Sequence, residues 1–426
     1  MNVLIVGGGG REHALAWKLG QSERVSRIYC APGNAGTSTL GTNLPIKATE
    51  LDALARAARE HQIDLTVAGP ETPLAEGIVD LFQEKGLPIF GPSKTAAAIE
   101  SSKVFSKRLM LKHGIPTAAA EIFASYEEAH KYIAFREPPM VVKADGLAAG
   151  KGVVVARTRQ QALEALYDIM VKRAFGAAGD QVLIEECLTG REASLLAFTD
   201  GHTVVPMAPA CDYKPVYDGD QGPNTGGMGG YSPPEFLDDG LVKEITHRVL
   251  IPAVTAMAME GRPYKGVIYA GLMITAEGPR VIEFNCRFGD PEAQVILPRL
   301  KGDLLGVMLA VVNGGLDKLS VRWSDEAYVG TVMASGGYPG AYSTGFPISG
   351  LEDVDSDILV FHAGTRQEHD ESSGRQRVVT DGGRVLEVVA GGSSLAEARE
   401  KVYRNISRIK FEGCHYRTDI AARAVQ

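Results

Sequence analysis

VVKADGLAAGKGVVV, residues 141–155, reads as two valine-rich strands joined by a glycine loop. Lys143 sits on the first strand, and the loop carries Gly146, Gly150, Lys151 and Gly152. Such a hairpin can fold over a triphosphate, with Lys143 neutralising phosphate oxygens from a rigid strand while the loop closes above them. The pattern GxxxxGK[ST] is absent, so this is not a P-loop. Taken alone, the segment reads by default as an ordinary glycine hairpin with exposed lysines, and the surrounding chain has to choose.

Upstream, NVLIV is a buried strand, GGGG a turn, REHALAWKLGQS an amphipathic helix and RIYC a second strand. DLTVAGPE and LPIFGPS continue the alternation, with a helix expected over LAEGIVDLFQEKG between them. Residues 1–102 therefore read as a small parallel α/β domain. The glycine loop Gly8, Gly9, Gly10 with Arg11 suits an anion, because loop amides and a helix N-terminus favour negative charge. A dinucleotide fingerprint would need glycine where Glu12 stands and an acid where the next strand ends in Cys30, so a nicotinamide or flavin enzyme is disfavoured. A small phosphorylated substrate, or tight strand–helix packing alone, remain the two readings of that loop.

The basic helix within SSKVFSKRLMLKHGIPTA stops at Gly114 and Pro116. Strands MVVKAD, GVVVAR and QVLIEEC follow, with a helix expected over TRQQALEALYDIMVKRAF, and residues of about 120–190 form an antiparallel-looking unit. Longer strands (ASLLAFTD, YAGLMITA, RVIEFNCRF) and helices over 241–260 and 291–312 occupy 191–325, and the remainder to 426 is strand-rich with a polar hairpin tip at DESSGRQ. In IEFNCRFGDPEAQ, residues 282–294, the side chains of Glu283, Asn285 and Arg287 share one face of a strand while Ile282, Phe284, Cys286 and Phe288 share the other. Polar alternation of this kind marks either a solvated edge or a site needing carboxylate, amide and guanidinium together.

Length and composition bound the answer. A chain of 426 residues implies two to four domains, and 45% hydrophobic with 23% charged residues describes a globular protein. The net charge of -8 argues against nucleic acid as a partner. Five cysteines without a CxxC pair fit a reducing compartment. No apolar run of spanning length occurs, and MNVLIVGGGG lacks a basic leader region, so a cytoplasmic location without membrane contact is expected.

Together these segments resemble the ATP-grasp superfamily and, within it, the glycinamide ribonucleotide synthetase (phosphoribosylamine-glycine ligase) family. RFGDPEAQ looks like that family's signature, and GPNTGGMG, GGGGREHALA and KADGLAAGKGV look like further family segments, the likeness running from residue 1 to YRTDI at 416–420. Tyr213 departs from it, since the family often has histidine in a DHK motif, and YAGLMIT offers no carboxylate where sister ATP-grasp enzymes often carry a metal ligand.

The resemblance implies an α/β, ATP-grasp fold with an N-terminal parallel domain (1–102), an ATP-grasp domain (103–325) whose part at about 120–190 is a mobile lid, and a strand-rich C-terminal domain (326–426). It implies Glu283 and Asn285 as ligands of Mg2+ (or Mn2+), and Lys103, Lys143 and Lys151 on the phosphates of ATP. Glu186, Cys187 and Leu188 would line adenine, Glu192 would bind ribose, and Glu185 joins the ATP set. Asp212, Lys214 and Arg287 are the implied catalytic residues. Substrate contacts are implied for Gly8, Gly9, Gly10, Arg11 and Glu71, for Asn224, Thr225, Gly226, Gly227 and Met228, and for Gly289, Asp290, Pro291 and Glu292. The implied reaction joins glycine to 5-phosphoribosylamine with ATP, through glycyl phosphate, in purine biosynthesis, by a monomer acting on small molecules. The rivals are another ATP-grasp carboxylate–amine ligase, against which GPNTGGMG and RFGDPE speak, and a nucleotide sensor that has lost turnover.

Overall fold

In the computed structural model, residues 1–147, 152–370 and 374–425 are described, so Lys151 and part of the hairpin tip at 370–376 lie outside them. The first sheet is all parallel, in the order Thr42–Asn43, Arg27–Pro32, Asn2–Gly7, Leu65–Ala68, Ile89–Phe90. Asn2–Gly7 is its central strand, and Val3 through Val6 are wholly buried, which is why the segment is apolar at every position rather than at alternate ones. Gly8 presses so closely on the next loop that a Cβ would stand 2.5 Å from the Gly33 carbonyl oxygen. At the start of the helix Gly10–Leu19 the N-cap Gly9 N–H donates to Glu12 Oε2 at 2.6 Å.

Two expected helices are interrupted. The one expected over 74–86 breaks at Gly77, whose φ of 102° ends Glu71–Glu76 and starts Ile78–Glu84. That over 291–312 becomes Glu292–Ile296, a 3-10 turn containing Pro298, a two-residue strand, and Leu304–Asn313 capped by Asp303, because Pro298 and Gly302 (φ 118°) forbid a continuous helix. The helix over 241–260 does run through, with a π turn at Thr246–Leu250.

Residues 120–186 form a four-stranded antiparallel sheet, ordered Ala120–Phe123, Val182–Glu186, Met140–Ala144, Val153–Ala156. Helices Tyr126–Ala134 and Arg159–Met170 supply Ala129, Ile133, Ala162, Leu166 and Ile169 to a core of its own, separate from the two large clusters of the rest of the chain. A unit with a private core can shift as a body without opening the others. The edge strand Ala120–Phe123 and the helix after it gave no clear sequence signal, being short and only half-buried.

The central sheet is antiparallel, in the order Val204–Pro206, Arg191–Thr199, Gly266–Thr275, Gly278–Asn285. The C-terminal sheet begins with Cys211–Asp212 and Gly229–Ser232 and continues through Ala327–Ala334, Arg384–Gly392 and Ile358–His362. Backbone pairing therefore joins the middle segment to the last hundred residues.

The N-terminal and C-terminal parts meet at two histidines. His13 Nδ1 accepts the His362 N–H at 2.8 Å, and the rings stand 5.5 Å apart. Burial, with His362 beside it, pushes His13 down to about 3, and burial pushes His362 down to about 4. Both rings are thus neutral in the fold and charged in the unfolded chain below its ordinary histidine value. Their contribution is complete above pH 6.5 and is lost as pH falls toward these depressed values, by about 2 kcal/mol for each ring by pH 5. Urea unfolding of wild type and His13→Gln at pH 7.5 and 5.0 should show a smaller acid loss in the variant; equal losses would exclude this pair as the acid-sensitive contact.

Candidate active site

A β-bulge shapes the strand Gly278–Asn285. Glu283 faces Gly271 and Asn285 faces Tyr269, but the register slips at Ile282, which has no partner on the neighbouring strand. The freed Ile282 carbonyl accepts from Lys143 Nζ at 3.0 Å. Lys143 also pairs with Glu185 at 2.8 Å, and the other oxygen of Glu185 lies 3.0 Å from Lys107 Nζ. Lys107 is completed by the Thr117 hydroxyl at 2.7 Å and the Ala118 carbonyl at 3.0 Å. Glu185 is therefore spent as a buried bridge between two ammonium groups. Burial pulls Lys107 below the ordinary lysine value, against the opposing effect of Glu185.

Lys103 opens the helix Lys103–Lys112 and donates to the Gly146 carbonyl at 2.9 Å, at the start of the glycine loop. Asp145 ties the same loop down by accepting from the Ser102 hydroxyl and the Val104 N–H, each at 3.0 Å. Burial lowers Lys103, Glu283 opposes that, and Lys143 adds to it. Lys103, Lys143 and Glu283 thus share one electrostatic neighbourhood. Among the described residues the Glu283 carboxylate takes no hydrogen bond or ion pair, and Asn285 Oδ1 has only a 3.4 Å contact from Arg287. No three His, Cys, Asp or Glu side chains converge among the described residues. Two oxygens with little other employment fit a hard cation that takes its remaining ligands from phosphate and water.

Arg287 reaches Glu71 at 3.1 Å and Glu100 at 3.2 Å, and Glu100 also accepts the Cys286 N–H at 2.7 Å. Burial raises Glu100, whereas Arg287 and Arg11 outweigh burial at Glu71 and hold it below the usual carboxylate range. Glu186 accepts the Ala119 N–H at 2.9 Å and pairs with Arg280 at 3.2 Å, leaving Cys187 and Leu188 half-buried beyond it.

Lys214 lies 2.9 Å from Asp212 and 3.2 Å from Glu192. Burial alone would lower it, but these two carboxylates hold it well above the ordinary lysine value. Glu292, buried behind them, accepts from the Tyr269 hydroxyl and from Ser194 at 3.2 Å, and burial with Asp212 nearby raises it. The loop Asn224–Met228 is pinned to Lys214, whose carbonyl accepts from the Thr225 N–H at 2.8 Å and its hydroxyl at 2.7 Å. Asn224 is exposed. The Met228 side chain is wholly buried against Val216, Ala334 and Tyr338. Tyr213 turns to the C-terminal segment, with Arg417 over its ring at 4.7 Å.

The amino-terminal glycine loop reaches the same cleft. Arg11 donates to Glu12 at 2.6 Å and to the Phe288 carbonyl at 3.1 Å, and its N–H meets Asp290 at 3.4 Å. Gly227 lies against Pro291, where a Cβ would come within 2.3 Å of Cδ. The structure thus gathers the segments at 8–11, 71, 212–214, 224–228 and 283–292, which are scattered in sequence.

Family profiles match most of the chain: the phosphoribosylglycinamide synthetase N domain over residues 1–100, the ATP-grasp (A) domain over 101–293, and the C domain over 328–423. The chain belongs to the phosphoribosylglycinamide synthetase family. It is 51% identical to the phosphoribosylamine–glycine ligase of Halalkalibacterium halodurans, covering 100% of this chain and 97% of that one, and 52% identical to that of Caldanaerobacter subterraneus, covering 99% and 100%. The crystal structure of the phosphoribosylamine–glycine ligase of Thermotoga maritima superposes with a TM-score of 0.86 at 33% identity, covering 99% of this chain and 100% of that one. A biotin carboxylase from Campylobacter jejuni shares the fold, with a TM-score of 0.73 at 15% identity over 97% of this chain and 92% of its own. The ATP-grasp fold expected from the motifs is the fold found.

Within this family frame, three charged residues carry site geometry without having been singled out by sequence. Lys107 lies one helical turn after Lys103, a spacing that placed it on the same face. Glu100 and Arg384 gave no local signal. Arg384 Nη1 donates to the carbonyls of Gly226 and Asp290, each at 2.8 Å.

Proposed function

We propose that this chain joins glycine to 5-phosphoribosylamine, consuming ATP and releasing glycinamide ribonucleotide, ADP and phosphate, as a step of purine biosynthesis. The observation that carries the reading is the convergence of Lys103 and Lys143 on the Glu283–Asn285 face, at the mouth of the glycine loop. A glycine carboxylate is a poor electrophile. Its oxygen attacks the γ-phosphorus of ATP to form glycyl phosphate and ADP; the ribosylamine nitrogen then attacks the carbonyl carbon, and phosphate leaves with the former carboxylate oxygen. Lys103 and Lys143 hold and neutralise phosphate oxygens, and Arg287, fixed by Glu71 and Glu100, steadies the transferring or carboxylate group. Lys214, kept cationic by Asp212 and Glu192, faces the same developing charge. Glu283 and Asn285 would hold Mg2+, or Mn2+ in its place, and the cation would supply further neutralisation of the phosphates.

The adenine is assigned to Glu186, Cys187 and Leu188, its ribose to Glu192, and the lid role to residues 120–190, whose separate core supports movement as a body. Closure of that unit keeps water from the acyl phosphate. Among the described residues no helix is long and apolar enough to cross a membrane, and we assign the enzyme to the cytoplasm as a monomer acting on small molecules.

ADP release should require glycine and freshly made phosphoribosylamine together with ATP. Glycine labelled with heavy oxygen in its carboxylate should transfer one labelled atom per turnover to inorganic phosphate. Unlabelled phosphate, or AMP as a product, would refute the acyl-phosphate route, and ADP release independent of glycine would refute the ligase reading.

A further inference from the structure

Arg384 opens the strand Arg384–Gly392, and its Nη1 is shared by distant segments. It donates at 2.8 Å to the carbonyls of both Gly226 and Asp290 and stands 3.2 Å from Asp290 Oδ1. The Asp290 carboxylate in turn meets the Arg11 N–H. Two of the loops with implied substrate contacts, at Gly226 and Asp290, therefore meet at one guanidinium, and the third reaches it through the Asp290 carboxylate. Its Nε and Nη2 make no hydrogen bond among the described residues, and the side chain is 22% exposed. Gly226 lies over this unspent part: a Cβ there would come within 3.0 Å of Cζ, 3.2 Å of Nη2 and 3.3 Å of Nε.

A second donor stands beside it. The Tyr338 hydroxyl accepts the Gly226 N–H at 3.1 Å, which leaves its own proton to give. Glu387, on the same strand, is buried with neither oxygen partnered among the described residues. Burial, with Asp290 nearby, pushes its carboxyl well above the usual range, and the ion pair of the guanidinium is with Asp290. In the amino-terminal glycine loop, Gly9 N–H and Arg11 Nε are taken by Glu12 and Arg11 Nη1 by the Phe288 carbonyl, while the Gly8 and Gly10 N–H groups make no hydrogen bond among the described residues.

A phosphate monoester matches a planar guanidinium edge, which can take two oxygens through parallel N–H donors. We propose that Arg384 and Tyr338 form the subsite for the phosphate of the sugar-phosphate substrate, the Nε–Nη2 edge taking two oxygens and the Tyr338 hydroxyl a third. This inference rests on the ribosylamine reading above and places the phosphate at the C-terminal sheet rather than at the amino-terminal glycine loop.

The test uses ribose 5-phosphate, a stable analogue without the amine, as a competitor of phosphoribosylamine in the full-length enzyme, with ribose as the control. Wild type should be inhibited by ribose 5-phosphate and not by ribose. Arg384→Ala should weaken that inhibition roughly a hundredfold, the loss of two charge-assisted hydrogen bonds, with the KM values of ATP and glycine essentially unchanged. Guanidinium ion should restore part of it. Tyr338→Phe keeps the ring packed against Val216, Met228 and Ala334 and should weaken inhibition about tenfold, so it decides the matter even where Arg384→Ala fails to fold. Inhibition unchanged in Tyr338→Phe and in folded Arg384→Ala, in an enzyme that still makes product, overturns the subsite and leaves the ligase reading standing. A wild-type enzyme that makes no glycinamide ribonucleotide overturns both.

Discussion

Lys143→Met should lower kcat by about 10²- to 10³-fold, the range that accompanies loss of one preorganised charge-stabilising donor. The ammonium group is fixed from two sides, by Glu185 at 2.8 Å and the bulge-freed Ile282 carbonyl at 3.0 Å, so in the proposed role it would meet the phosphates without reorganising. Methionine retains the length of the stem and removes the charge. The substitution also leaves Glu185 with one ammonium partner instead of two, which confuses a catalytic loss with a structural one. Glu185 stays paired with Lys107 at 3.0 Å, so no buried charge is left uncompensated. If hydrogen exchange on the strands Met140–Ala144 and Val182–Glu186 is unchanged but turnover falls, Lys143 acts on the phosphates. Turnover near wild type would remove Lys143 from the mechanism.

Glu185→Gln should be the most damaging single change to the 120–186 unit. Lys107 and Lys143 are both buried and both paired with this one carboxylate, at 3.0 and 2.8 Å. Glutamine preserves the shape and takes away the charge, so two ammonium groups remain in a site of low dielectric with no counter-ion. Breaking a buried ion pair by removing one partner costs about 3–5 kcal/mol. Because the chain has several cores, a single global unfolding energy would blur the effect. Hydrogen exchange on the strands Met140–Ala144 and Val182–Glu186 reads it locally, and protection there should fall by more than about a hundredfold. Protection unchanged on those strands would mean that the lysines are neutral and that the bridge is dispensable.

The sequence by itself determined the local geometry of this protein. The apolar run Asn2–Gly7 declared a strand buried on both faces, and the alternation of Glu283, Asn285 and Arg287 placed three polar groups on one side of a strand, since side chains there repeat every two residues. The motif order around VVKADGLAAGKGVVV and RFGDPEAQ identified the family and its ATP-grasp fold. Interruptions were less legible: Gly77 and Pro298 cut helices whose apolar spacing alone read as continuous. Only the tertiary structure decided how each buried charge is compensated. Glu185 binds Lys107 and Lys143, Arg287 binds Glu71 and Glu100, and Arg384 joins Gly226 to Asp290. These partners lie tens to hundreds of residues apart, beyond the reach of any helical or strand period. A buried charge must be paired because desolvation is costly, but the requirement is met by whichever group the packing of distant sheets brings within hydrogen-bond range. For the same reason Met228, inside a motif that reads as ligand-binding, proved to be core: the chain around it is polar, and only the approach of Val216, Ala334 and Tyr338 takes its side chain out of water.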